Sequence, residues 1–261
     1  MIRRIKHAST ATCTLPIYMG FLMTEPNSIS CTQLAETYNI SHDSVNRFLE
    51  REDYTPHDLY QEAIQHIDNN KLIVSIDDTV LDKPYSQHMD LVSYFWSGKH
   101  HRSVKGINLI TLYATDQNGQ NIPINFRIYD KSEGKTKNDY FMDMLSEVLS
   151  WGAKIQFITG DSWYSSTENL KTIRKYGIRF MFGIDCNRKV SPEKGQWFQL
   201  RLLPNFHQGQ VVWLKDFGFV QLFKTQLKEQ QRFYIVYQDE DDLLSFEGFH
   251  ELHSSHWKIE Q

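Results

Sequence analysis

The sequence predicts a mixed α/β fold, a sheet with flanking helices, and three observations predict it. Two short apolar runs, one holding Ile73, Val74 and Ile76 and the other Ile155, Phe157 and Ile158, each lead into a carboxylate. Two β-rich runs between them, Gly106 to Thr115 and Ile122 to Tyr129, are joined by a segment containing Asn118-Gly119, a strong hairpin turn signal. Lys137 to Trp151 repeats Tyr140, Phe141, Met144, Leu145, Val148 and Leu149 at helical spacing, which supplies a helix to cover the sheet.

Composition bounds the reading. The chain has 261 residues, 40% of them hydrophobic, enough for one large or two modest packed domains. The net charge of -4 excludes a general basic coat, so any nucleic-acid contact must come from local patches. Cys13, Cys31 and Cys186 are odd in number and far apart, with neither metal spacing nor a disulfide framework, which fits a reducing cytoplasm. No apolar run is long enough for a bilayer, and Ala8 to Thr14 is too polar for a signal-peptide core despite the basic start.

Leu15 to Met23 reads as a short helix interrupted by Pro16 and Gly20, with Pro26-Asn27 as punctuation. From Ser30 to Leu49 two short helices meet at a tight turn around Asn39, a residue that tolerates the left-handed conformation. Ser41 is a good N-cap for the second helix, and Val45, Phe48 and Leu49 form its apolar face. This resembles a helix-turn-helix. Its second helix offers His42, Asp43, Ser44, Asn46 and Arg47 to phosphates and base edges, the alternative being a plain helical hairpin. Thr55 to Asn69 reads as a helix, with Tyr60, Ala63, Ile64 and Ile67 on one face.

The next strand, Lys71 to Thr79, carries adjacent carboxylates Asp77 and Asp78 at its end. Side chains alternate along a strand, so one acid points towards a site and the other away. A carboxylate at the edge of a core needs a partner, and a divalent cation is one, the alternative being a plain solvated strand end. Lys99-His-His-Arg102 and Lys105 then make a compact basic loop, either solvated or set against a phosphate backbone. After the hairpin and the long helix come a strand Ile155 to Asp161, a helix Thr167 to Tyr176 and a strand Arg179 to Asp185. Strand, two-stranded hairpin, helix, strand, helix, strand is the order of a ribonuclease-H-like mixed sheet, which gathers carboxylates from separate strands. The expected organisation is a helical helix-turn-helix-like region over 1–70 and a core over 71–185. A β-rich insertion over 186–244 and a final helix over 245–261 complete it.

Three motifs carry a family resemblance. Ile76-Asp-Asp-Thr79, Thr159-Gly-Asp-Ser-Trp-Tyr164 and His253-x-x-His-Trp-Lys-Ile-Glu260 resemble, in that order, the three acid motifs of insertion-sequence transposases of the DDE class. The resemblance implies Asp78, Asp161 and Glu260 as catalytic residues and metal ligands. Asp78 is chosen over Asp77 because the family's acid stands directly before the Thr. It also implies two Mg²⁺ (or Mn²⁺) ions, hard cations suited to carboxylate oxygen, which activate the attacking water or 3′-hydroxyl and stabilise the leaving 3′-oxygen. Implied partners are DNA, at the element's ends and at the target, and a homo-oligomer when bound to DNA. No membrane is implied, and the expected location is the bacterial cytoplasm, at the nucleoid. Ser44, Asn46, Arg47, Lys99, Arg102, Lys105, Tyr164, His253, His256 and Trp257 are the expected DNA contacts. His256 is expected to face a phosphate. Tyr164, Trp163 and Trp257 are read either as base-stacking aromatics or as core. His253 and His256 depart from the family's usual Tyr and Arg, and the family's Lys after the Glu falls beyond Gln261, so the chain reads as C-terminally short. The alternatives are a ribonuclease-H-like nuclease without strand transfer and a DNA-binding remnant. A serine hydrolase built on Ser162 is disfavoured, because no Gly follows Ser162 and no His is assignable as its base.

Overall fold

The computed structural model describes residues 4–5, 11–25, 30–227, 230–238 and 242–257, in two compact units, Met1–Asp58 and Leu59–Gln261. In the first unit a two-residue strand β1 (Arg4–Ile5) precedes three helices, α1 (Leu15–Thr24), α2 (Cys31–Thr37) and α3 (His42–Arg51). Strand β2 (Glu52–Asp53) returns to pair with β1. The expected turn forms: Asn39 takes φ 50°, and the Ser41 hydroxyl accepts the Ser44 N–H at 3.1 Å. Phe21, Leu34, Ala35, Val45 and Phe48 close a small core of their own.

Helix α4 (Pro56–Ala63) is shorter than the Thr55-to-Asn69 helix that periodicity predicts. Its last turn tightens, with Gln65 N–H on Glu62 O and His66 N–H on Ala63 O, both three residues back. Lys71 then takes φ 56°, which a helix cannot continue through.

The second unit is built on an eleven-stranded sheet. Strand β3 (Leu72–Asp82) is its centre, followed by β4 (Ser93–Ser97), β5 (Arg102–Thr115) and β6 (Asn121–Ile128). One edge of β5 pairs with β3, and the other is shared by β4 and β6. Helix α5 (Lys137–Ser150) opens with a reciprocal cap between Thr136 and Asp139. Strand β7 (Ile155–Gly160) pairs parallel with β3, and after α6 (Thr167–Lys175) strand β8 (Arg179–Ile184) pairs parallel with β7. The order β6-β5-β3-β7-β8, antiparallel then parallel, is the ribonuclease-H-like sheet.

Strands β9 (Lys189–Ser191), β10 (Phe198–Gln199), β11 (Gln210–Leu214), β12 (Gly218–Leu227) and β13 (Gln230–Tyr237) make up the β-rich segment. They do not form a sheet of their own. Strand β13 runs antiparallel against β8, so this segment prolongs the central sheet. Helix α7 (Phe246–Trp257) follows.

Alternation sorts the side chains into two layers. Val74, Ile76, Ile158, Phe180 and Phe182 face α4, α5 and α6, whereas Ile73, Phe157 and Met181 face Phe249 and Leu252 of α7. Burying each such large side chain contributes about 1.5–3 kcal/mol, which holds a helix layer on either face.

Strand β3 extends beyond the predicted Thr79, because Val80 and Leu81 continue the ladder with Asn108 and Ile107 of β5. Asp77 and Asp78 are therefore within the strand, not at its end. They still lie just past its last pairing with β7, Ile76 opposite Gly160. At Gly106, opposite Asp82, an added Cβ would stand 2.5 Å from the Leu81 carbonyl oxygen. Gly106→Ala is expected to lower stability by about 1–3 kcal/mol, read as a lower urea midpoint with an unchanged slope.

Candidate active site

The site is built on Asp78. Even-numbered residues of β3 face α5, so Asp78 follows Val74 and Ile76 onto that side while Asp77 turns away. The Asp77 carboxylate accepts the Asp78 N–H at 2.8 Å. The Asp78 carboxylate takes three donors from three elements. The Tyr164 hydroxyl donates to Oδ1 at 2.9 Å, and Asn108 Nδ2 and Lys137 Nζ each donate to Oδ2 at 2.6 Å. Asn108 comes from β5, opposite Val80, and Lys137 opens α5.

Asp161 ends β7 and caps a turn of 3₁₀ helix, its Oδ1 accepting the Trp163 N–H at 2.8 Å. Burial pushes its carboxyl pKa up, and the charge of nearby Asp78 raises it further; the Trp163 and Tyr164 N–H groups and Lys137 act in the opposite direction. The Tyr164 phenol is pushed up by burial first and then by Asp78. Asp161 is nonetheless exposed, and the charge of Asp78, on the neighbouring parallel strand, reaches it there.

Tyr164 is fully buried, with its ring edge-on to Phe141 at 5.5 Å. It cannot stack on a base, which corrects the expectation of a DNA contact; it is the residue that aims Asp78. Trp163 is 63% exposed and lies under Lys137, whose Nζ is 5.7 Å from the ring centre. The donors Asn108 and Lys137 escaped the sequence reading. Asn108 is a polar residue placed directly between the apolar Ile107 and Leu109, and such a break in a strand is the one signal that would have found it.

The other expected contacts fall into two groups. Arg47, Lys99 and Arg102 are exposed, and Asn46 is half-buried with its Nδ2 3.2 Å from His42 Nδ1. Lys105 is half-buried and donates to the Ser86 carbonyl. Ser44 is buried: its hydroxyl accepts the Cys13 N–H and meets the Thr12 hydroxyl, each at 2.9 Å, so it faces inward. Ser44 lies one turn before Phe48 and shares its buried stripe.

His256 is also buried, 7% exposed, with Nδ1 3.2 Å from the Thr159 hydroxyl, which in turn meets the Ser75 hydroxyl at 2.8 Å. It pins α7 to β3 and β7 and does not face a phosphate. His253 packs edge-on against Tyr234, ring centres 4.8 Å apart. Glu260 and the Trp257 side chain lie outside the described residues.

A profile for DDE superfamily endonucleases matches residues 3–199, which takes in Asp78 and Asp161 and stops before α7. The chain belongs to this family. No curated protein matches the sequence. Two solved structures of Argonaute from Marinitoga piezophila, one with 5′ OH guide RNA and one with guide RNA and target DNA, align over 73% of this chain at 12% and 11% identity. The TM-score is 0.27 for each, and the chain spans about a quarter (26%) of those Argonaute chains; a likeness this loose bears on neither fold nor chemistry.

DDE-type endonucleases generally use divalent metals, and the residues here fit such an ion. Both acids are hard oxygen donors, and the repulsion that the Asp78 charge exerts on Asp161 would be relieved by a cation between them. Asn108 Oδ1 beside them is buried without a hydrogen-bond partner among the described residues. Among those residues no group of three His, Cys, Asp or Glu side chains forms a metal site.

Burial lowers the His256 pKa to about 4, with the charge of His253 helping, and burial likewise lowers His253 to about 4. The unfolded chain, with imidazoles near pH 6.5, binds these protons first, so stability is expected to be full above pH 6.5 and to fall as the pH drops towards 4. The His256 contribution is on the order of 3 kcal/mol. Urea melts of wild type and His256→Gln across that range check it, and the variant should show the shallower loss.

Proposed function

We propose that this DDE superfamily endonuclease is a DNA transposase. It cleaves phosphodiester bonds at the ends of an insertion sequence and joins the freed ends to target DNA. The observation that carries the reading is the convergence of Asp78 and Asp161 beside the last register pair of two parallel strands, where the charge of Asp78 reaches Asp161.

Asp78 and Asp161 would hold the divalent ions, Mg²⁺ or Mn²⁺, and Glu260 is the third acid in this reading. Bound there, the ions supply a lowered pKa for the attacking water or 3′-hydroxyl and charge stabilisation for the leaving 3′-oxygen. Tyr164 and Asn108 orient Asp78 with one hydrogen bond on each carboxylate oxygen. The exposed Trp163 ring offers a stacking face for an unpaired base at a cut end. Arg47 and Asn46 on α3, Lys99 in the turn between β4 and β5, and Arg102 at the start of β5 offer donors to phosphates. In an acidic chain such local patches carry the DNA contact. Among the described residues no helix is long and apolar enough to cross a membrane.

The family's description as endonucleases favours a second reading, cleavage without joining. One assay separates the two. Purified protein is incubated with Mg²⁺ or Mn²⁺ and a plasmid carrying the DNA that flanks the gene, plus a second plasmid as target. Cleavage together with joined product is expected, and Asp78→Asn and Asp161→Asn should each reduce both by about a thousandfold or more. Cleavage without joined product leaves the endonuclease reading. Binding without cleavage under either ion ends the transposase proposal.

A further inference from the structure

Lys137 is placed where helix electrostatics disfavour it. It is the first residue of α5, next to the Thr136 cap, and the start of a helix carries partial positive charge. It is also poorly hydrated: the side chains of Lys137 and Asp78 are only 18% and 15% exposed. An ammonium in that position needs a compensating anion, and the 2.6 Å contact with Asp78 Oδ2 supplies it. The pair joins a predicted ligand of a divalent ion to a cation of the protein's own. Asp78 Oδ2 already accepts Asn108 as well, so an arriving ion meets an oxygen fully engaged by two donors.

We propose that Lys137 is an exchangeable counter-ion. It neutralises Asp78 in the ion-free protein and gives way when a divalent ion binds. The proposal rests on the assignment of Asp78 as a metal ligand. No covalent bond changes: the ammonium keeps its three protons, leaves Oδ2 and trades one contact for others. The Trp163 ring beneath Nζ gives the departing charge a surface to rest on, at the exposed side of the site. From there its charge is directed at an incoming phosphodiester. Lys137 is thus a positioning residue that pairs with a half-buried carboxylate and keeps it aimed before the ion arrives.

The test is Mn²⁺ binding, followed by electron paramagnetic resonance, together with the melting temperature of the ion-free protein. The proteins compared are wild type, Lys137→Gln, Lys137→Arg and Asp78→Asn. Lys137→Gln should bind Mn²⁺ about fivefold more tightly, since no charge has to be displaced, and its ion-free melting temperature should fall. Lys137→Arg should bind Mn²⁺ more weakly than wild type, because a two-pronged guanidinium pair is harder to displace; it also keeps the test alive if the Gln variant does not fold. Asp78-dependent Mn²⁺ binding of equal strength in wild type and either Lys137 variant overturns the counter-ion role alone. Mn²⁺ binding that Asp78→Asn does not alter overturns the metal assignment, and this proposal with it.

Discussion

The half-buried carboxylate of Asp78 is the constraint on which the rest depends. A carboxylate withdrawn from most of its water needs donors, and here they come from β5, from the 3₁₀ turn after β7 and from the start of α5. Each of those elements must therefore be in register for the charge to be tolerated. Strand β5 is in register through ten consecutive pairs with β3, from Gly106 to Thr115. The 3₁₀ turn is fixed by Asp161, which caps it while standing at the site itself. Helix α5 is fixed by the cap at Thr136, one residue before Lys137. The acid pair is in this sense a product of the sheet order: a parallel β3–β7 pair is what brings two distant acids side by side.

Much of this was legible in the sequence because it rests on periodicity. The strand runs at Ile73 and Ile155, the hairpin at Asn118-Gly119 and the α5 stripe all depend on local spacing, and spacing survives folding. The left-handed Asn39 was legible for the same reason, as a local property of one residue. What was not legible is whatever depends on a distant partner. The β-rich segment reads as an insertion, but that β13 pairs with β8 is a choice between sheet edges that no local pattern encodes. The length of β3 depends on β5 continuing beside it, so Asp78 reads as a strand end when it lies mid-strand.

Side-chain roles failed for the same reason. Ser44 and Tyr164 are polar-tipped residues in segments with a plausible outward job, and composition cannot say which way they turn. Ser44 turns in because Thr12 and the Cys13 N–H satisfy its hydroxyl. Tyr164 turns in because Asp78 satisfies its phenol. In both cases the inward partner is more than thirty residues away and lies in another segment of the chain. Lys137 and Asn108 were missed by the converse error: apart from the polar break at Asn108, nothing in their neighbourhood marks them, and their meaning comes from Asp78.

His256 joins the departure in the third motif to the packing of the sheet. The resemblance predicts Arg at this position, and the surface reading then gives it a phosphate. A guanidinium stays charged at any accessible pH, so in this place it would need a buried counter-charge. An imidazole can shed its proton instead, and with its pKa lowered to about 4 His256 is neutral above that range. Neutral, it shares a hydrogen bond with Thr159, and Thr159 with Ser75, so one uncharged chain of three side chains ties α7 to both acid-bearing strands. Burial and a neutral imidazole at this position are therefore one fact. With α7 held by neutral groups on one face of the sheet, the charged chemistry of Asp78 and Lys137 is confined to the other.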